Sequence, residues 1–166
     1  MLRNQLFKGR CEPRYWFRSL GGGNMRLFDK FFGKKKDDDN FVRIRSILEK
    51  FIEATFLTLN DADKKDSSQG MTILLYMFGA VDMLCQFKGM DENTTLILFN
   101  EMLKNELGEY TDEQAQALLT EVIRVSAQTE GQQLMKEGGE ALRSWLVKSD
   151  PRAAFRLTEI LMAKDK

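Results

Sequence analysis

The sequence predicts an all-α fold: a single-domain bundle of five or six helices around one central apolar helix. Three observations carry that expectation. Residues 71–87 (MTILLYMFGAVDMLCQF) are apolar on almost every side, and a helix apolar all round must be enclosed by other elements or by lipid. The stretches on either side repeat apolar residues at three and four, the spacing of amphipathic helices. The 166 residues hold only two prolines, and no alternating apolar–polar run bounded by turn residues reads as strand.

The central helix comes first because everything else must cover it. At ~1.5 Å per residue the stretch 71–87 spans roughly 26 Å, just short of a bilayer core. Asp82 lies two-thirds of the way along, and a carboxylate inside a membrane span costs ~2.5–3.5 kcal/mol. The balance favours an enclosed core helix. Thr72, Tyr76, Gly79, Asp82 and Gln86 recur at helical spacing and form its one polar or small stripe. Gly79 costs ~1 kcal/mol of helix propensity there, which predicts a close helix crossing as compensation. Asp82 is expected to reach the surface along the stripe or to pair with Arg43 or Arg45. The alternative is a pocket or partner contact built on Tyr76, Asp82 and Gln86.

Charge divides the chain. Residues 1–36 hold ten of the 25 Lys/Arg and two of the 25 Asp/Glu, so they carry +8 and residues 37–166 carry −8. The expected organisation is a basic N-terminal segment, 1–36, and a helical bundle domain, 37–166. Residues 1–24 lack the apolar core of a secretory signal. Their Arg-rich composition would suit a transit peptide in a eukaryote. The preferred reading is an extension upstream of a bacterial start at Met25, with Gly21 to Gly23 encoded by a purine-rich ribosome-binding site. It predicts poor order up to about residue 24. Beyond it, Leu27, Phe28, Phe31 and Phe32 share one side of a short helix, flanked by Lys34, Lys35 and Lys36. Such a segment either docks on the bundle or lies on an anionic membrane surface, attracted by roughly 1 kcal/mol per basic residue.

The body then follows in order. Asp37, Asp38, Asp39 and Asn40 suit a helix start. The first helix is expected over Phe41–Leu59, with Phe41, Ile44, Leu48, Phe51, Ile52, Thr55, Phe56 and Leu59 as its dry stripe. Asn60 to Gly70 reads as an exposed loop. Asp61 and Asp63 fit an EF-hand, but Asp66 and Thr72 stand where Gly and Glu are needed. Lys88-Gly89 ends the central helix and Asp91 caps the next, about Glu92–Leu107. Its dry side is Leu96, Phe99, Leu103 and Leu107, widened by Ile97, Leu98 and Met102. Gly108 is placed as its C′ residue. Thr111 and Gln114 have capping-box spacing, with Tyr110 and Ala115 as the staple. The fourth helix uses Ala115, Leu118, Leu119, Val122, Ile123 and Val125. Leu134, Met135, Leu142, Trp145 and Leu146 predict a fifth, read as one helix with a close contact at Gly138-Gly139. Asp150-Pro151 starts the last, with Ala154, Phe155, Leu157, Ile160 and Leu161 inward.

No catalytic constellation is visible. The chain has no histidine, which removes Ser-His and Cys-His catalysis and His-based metal sites. No phosphate cradle, dinucleotide fingerprint or nucleophile elbow occurs. Cys85 reads as a small buried hydrophobe, and Cys11 and Cys85 as reduced thiols. Two polar pairs four residues apart, Glu101 with Asn105 and Glu109 with Glu113, read as solvated faces. The acidic body argues against nucleic acid as partner. The leading expectation is therefore a non-enzymatic binding or regulatory protein without cofactor, bacterial and cytoplasmic, acting on a protein partner, with a homodimer compatible with nine methionines. The first alternative is a peripheral membrane adaptor at the inner membrane, held by residues 25–36. The acidic helix starts Asp91-Glu92 and Asp112-Glu113 lie about twenty residues apart and are loosely similar to those of tellurite-resistance TerB-type domains. That resemblance implies the second alternative, a small metal-binding stress-response domain.

Overall fold

A computed structural model of the chain describes residues 37–60, 67–108 and 110–164, all within one compact unit, Lys35–Lys166. These residues form an all-α bundle, with no strand among them. The helices are α1 (Asp37–Thr58), α2 (Ser67–Phe87), α3 (Glu92–Asn105), α4 (Asp112–Ser126), α5 (Thr129–Val147) and α6 (Arg156–Lys164), with a 3₁₀ turn over Pro151–Phe155 before α6.

The expected centre is the centre. Every residue from Thr72 to Val81 is buried, and α1, α3, α4, α5 and α6 all contact α2. By length and composition Ser68–Phe87 could cross a membrane, but two-thirds of its most apolar window (67%) is buried inside the bundle. Each large side chain fully enclosed there contributes roughly 1.5–3 kcal/mol. The helix begins four residues before the predicted start. Ser67 to Gly70 belong to its first turn rather than to a loop, because Gln69 is buried beneath its neighbours.

The most extensive pairing joins α2 to α5, and glycine makes it possible. A Cβ on Gly79 would stand 2.0 Å from the Met135 carbonyl oxygen, and one on Gly138 would stand 1.8 Å from the Tyr76 carbonyl oxygen. The crossing expected at Gly79 and the contact expected at Gly138-Gly139 are thus two halves of one interface. Residues 129–147 accordingly form a single helix. Aromatic pairs tie in the neighbours. Phe51 of α1 meets Trp145 of α5 with ring centroids 5.7 Å apart, and Phe78 of α2 meets Phe99 of α3 at 4.9 Å.

The helix ends follow local chemistry. Gly89 takes φ +67°, the Met90 N–H donates to the Cys85 carbonyl (2.9 Å) and the Gly89 N–H to that of Gln86 (3.0 Å), a Schellman stop. The Asp91 carboxylate accepts from the Thr94 N–H at 2.7 Å. Both bonds of the predicted capping box form: the Thr111 N–H donates to Gln114 Oε1 (3.0 Å) and the Gln114 N–H to Thr111 Oγ1 (3.3 Å). Asp150 accepts from the Arg152 N–H at 3.0 Å, around Pro151.

Four expectations need correction. Gly108 is not in the left-handed region; α3 closes two residues earlier through the Glu106 N–H on the Met102 carbonyl. Gly108 serves instead to clear the Tyr110 ring, whose Cε2 would lie 2.4 Å from a Cβ. The dry face of α3 is turned toward Leu98, Phe99, Met102 and Leu103, leaving Ile97 exposed. Only Ala115 and Val122 of the expected α4 stripe are fully buried, since α4 lies at the edge of the bundle. Phe155 likewise faces out, because the 3₁₀ turn has a different phase from the helix that the spacing implied.

Candidate functional site

The polar stripe of α2 does not form one site. Thr72 and Tyr76 are sealed, at 5% and 0% exposure. Tyr76 sits where its own backbone meets Gly138, so it offers no surface to a partner. Asp82 and Gln86 are half-buried, and the Gln86 amide donates to the Asp82 carboxylate at 2.7 Å. The expected pairing of Asp82 with Arg45 fails because Arg45 has other carboxylates closer to hand. The other expected candidates, Leu27, Phe28, Phe31, Phe32, Lys34, Lys35 and Lys36, lie outside the described residues, as does the segment 1–24.

Arg45 organises the region that stands out. From the middle of α1 its guanidinium reaches Glu49 at 2.8 Å through Nε, Glu101 at 3.3 Å through Nη1 and Glu106 at 2.9 Å through Nη2. Glu49 lies one turn on along α1, whereas Glu101 and Glu106 come from the end of α3. Three carboxylates therefore share one guanidinium. Burial pushes the Glu106 carboxyl above its ordinary value, and the nearby Glu49 carboxylate adds to that, although Arg45 pulls the other way. Only one Glu106 oxygen meets Arg45; the other, Oε2, is buried without a hydrogen-bond partner.

Beside this cluster runs an open groove of about 350 Å³, lined by Glu49, Ile52, Glu53, Phe56, Leu57 and Glu106. Helical spacing builds it. Glu49 and Glu53 stand four apart in one row of α1, and Ile52 and Phe56 stand four apart in the next. Ile52 is buried and forms the floor, while Leu57 is 79% exposed at the lip.

Sequence reading placed Phe56 and Ile52 in the dry stripe and Glu49 and Glu53 outside it, which is correct for α1 alone. It missed the groove because Glu106 and Glu101 arrive from a helix more than fifty residues away. The i,i+4 spacing of Arg45 and Glu49 was the one local signal. Glu101 does not act with Asn105 as an acidic pair; Asn105 bonds the Glu101 backbone carbonyl (2.8 Å), and the carboxylate goes to Arg45.

The acidic helix starts have local duties. Asp91 caps α3, and Asp112 accepts from Lys104 at 2.8 Å. Among the described residues no group of three or more Cys, Asp or Glu side chains is arranged to hold a metal ion. Cys85 is buried, and burial pushes its thiol up to about 12.

Fold and site together define an all-α bundle with an apolar, carboxylate-walled groove. No known protein family, no curated protein and no solved structure matches the chain, so the likeness of its acidic helix starts to TerB-type domains carries no family assignment.

Proposed function

We propose that this chain is a non-enzymatic binding protein and that the α1 groove is its recognition surface. One observation carries the reading: Leu57, a large apolar side chain, stands 79% exposed at the lip of a groove whose floor is Ile52 and Phe56. Single exposed apolar residues are ordinary, but one continuous with a concave apolar lining and framed by charge is the pattern of an interaction site. The chemistry of the described residues agrees with binding rather than turnover. Cys85 is held as a buried thiol, and Tyr76 as a buried phenol whose pKa burial raises.

Photo-crosslinking in the source organism tests the proposal. A benzophenone amino acid at Leu57 is expected to give a discrete adduct with a second protein. The same group at Val42, equally on α1 and 66% exposed but outside the groove, is expected to give none. Equal adducts at both positions, or none at Leu57, would overturn it.

A further inference from the structure

We infer that the groove receives a basic amphipathic peptide segment, one that sets a row of Lys or Arg beside a row of apolar side chains. The inference rests on the groove being the recognition surface and goes on to say what it recognises. Charge supplies the first argument. Glu49, Glu101 and Glu106 meet the Arg45 guanidinium, Glu53 lies along the groove, and Lys104 acts on Glu101 from α3. Arg45 spends Nε, Nη1 and Nη2 on three of them, so the cluster keeps an excess of negative charge. Opposite charge across an interface fixes which partner is admitted and in what register.

Shape and polarity supply the second. The acidic row Glu49–Glu53 and the apolar row Ile52–Phe56 run side by side along α1, with Leu57 at the end. A ligand must cover both rows at once. A polyamine would meet the carboxylates and leave Phe56 and Leu57 wet. An anionic membrane or a nucleic acid has the wrong sign. A peptide whose cationic and apolar side chains alternate at helical spacing covers both, which is the helix-in-groove mode.

The test uses the full chain and synthetic peptides of about eighteen residues, long enough to hold a helix, read by fluorescence anisotropy. A Leu/Lys amphipathic peptide is expected to bind saturably and to weaken as salt rises. Glu53→Lys and Leu57→Ser, both surface substitutions, are each expected to weaken it by about tenfold or more. Val42→Ser is expected to leave it unchanged, and circular dichroism verifies that each variant folds. A Leu/Glu peptide of the same pattern and a Ser/Lys peptide are expected not to bind. Equal binding of the Leu/Glu peptide, full competition by spermidine, or indifference to Glu53→Lys would overturn the inference. A Leu57 crosslink to a partner segment that is acidic or uncharged would overturn it and leave the binding role standing. Absence of any groove-dependent crosslink would overturn both.

Discussion

Arg156 and Arg45 each hold more than one carboxylate, but in different surroundings. Arg156 binds Glu137 of α5 at 2.8 Å and Glu159 of its own helix at 3.0 Å. There the guanidinium wins: its hydrogen bond holds the Glu137 carboxyl below the ordinary carboxylate range, against the effect of burial. Arg45 faces three carboxylates with a fourth, Glu53, along the groove, and burial wins at Glu106, whose carboxyl is pushed up. The first cluster closes the α5–α6 side over the core. The second leaves negative charge and an exposed leucine facing solvent. The difference teaches where the molecule has met its own physical requirements and where it has left room for something else.

The largest expected effect breaks the closed side. Gly138→Ala puts a Cβ into the Tyr76 backbone carbonyl, and backbone cannot swing away as a side chain can. The loss is expected to be about 3 kcal/mol in urea unfolding, at the upper end of overpacking costs and well above the ~1 kcal/mol that alanine gains in helix propensity. Gly70→Ala is the control. It lies in the same helix as Gly79 with nothing within 4 Å of its Cβ position, so a gain of roughly 0.5–1 kcal/mol is expected. If both substitutions stabilise, the glycine-tight crossing is wrong.

Next come the two hubs. Arg45→Met removes the cation that hydrogen-bonds all three members of a crowded carboxylate trio and is expected to cost about 2 kcal/mol. That lies below the ~3–5 kcal/mol of a fully buried pair, because Arg45 is 33% exposed. Arg156→Met, at a site 46% exposed with fewer carboxylates to repel one another, is expected to cost within about 1 kcal/mol. The opposite order would remove the argument for excess charge at the groove.

The pH dependence sharpens the same contrast. Glu137 has a lowered folded pKa, so its stabilising contribution is present above the ordinary value of 4.5 and is lost as pH falls through the folded one. Glu106 has a raised folded pKa, so its contribution is present below 4.5 and is lost as pH rises through the folded value. Urea midpoints measured between about pH 3 and 7 are expected to separate the variants. Glu137→Gln lowers stability at neutral pH and flattens the acid decline, whereas Glu106→Gln removes a loss that sets in above 4.5.

How far these features are legible in the sequence depends on how local their causes are. The capping box at Thr111 and Gln114, the stop at Gly89 and the enclosed run around Leu74 and Phe78 all follow from residues within one or two turns of each other. Gly79 and Gly138 each announced a close approach, but nothing in either stretch says that they approach one another. The Arg45 cluster was hidden for the same reason, since two of its three carboxylates belong to α3. Spacing alone does not fix the inward face of α3, because Leu96, Ile97 and Leu98 are consecutive apolar residues and only packing selects Leu98 among them.

Tyr76 gives the smallest effect and the sharpest question about the closed side. Its side chain is fully buried, and its hydroxyl makes no hydrogen bond even though Arg156, Glu137 and Glu159 are close enough to act on it electrostatically. A buried donor left unsatisfied costs ~1–3 kcal/mol, whereas removing it while keeping the ring preserves the packing against α5. Tyr76→Phe is therefore expected to raise stability by about 1 kcal/mol or less, part of the gain being offset by the small void that the oxygen vacates. A loss instead would mean that the hydroxyl does bond to the Arg156 cluster in solution. The seal over the core would then be a polar network rather than a dry contact, and the contrast with the groove would narrow to one of net charge alone.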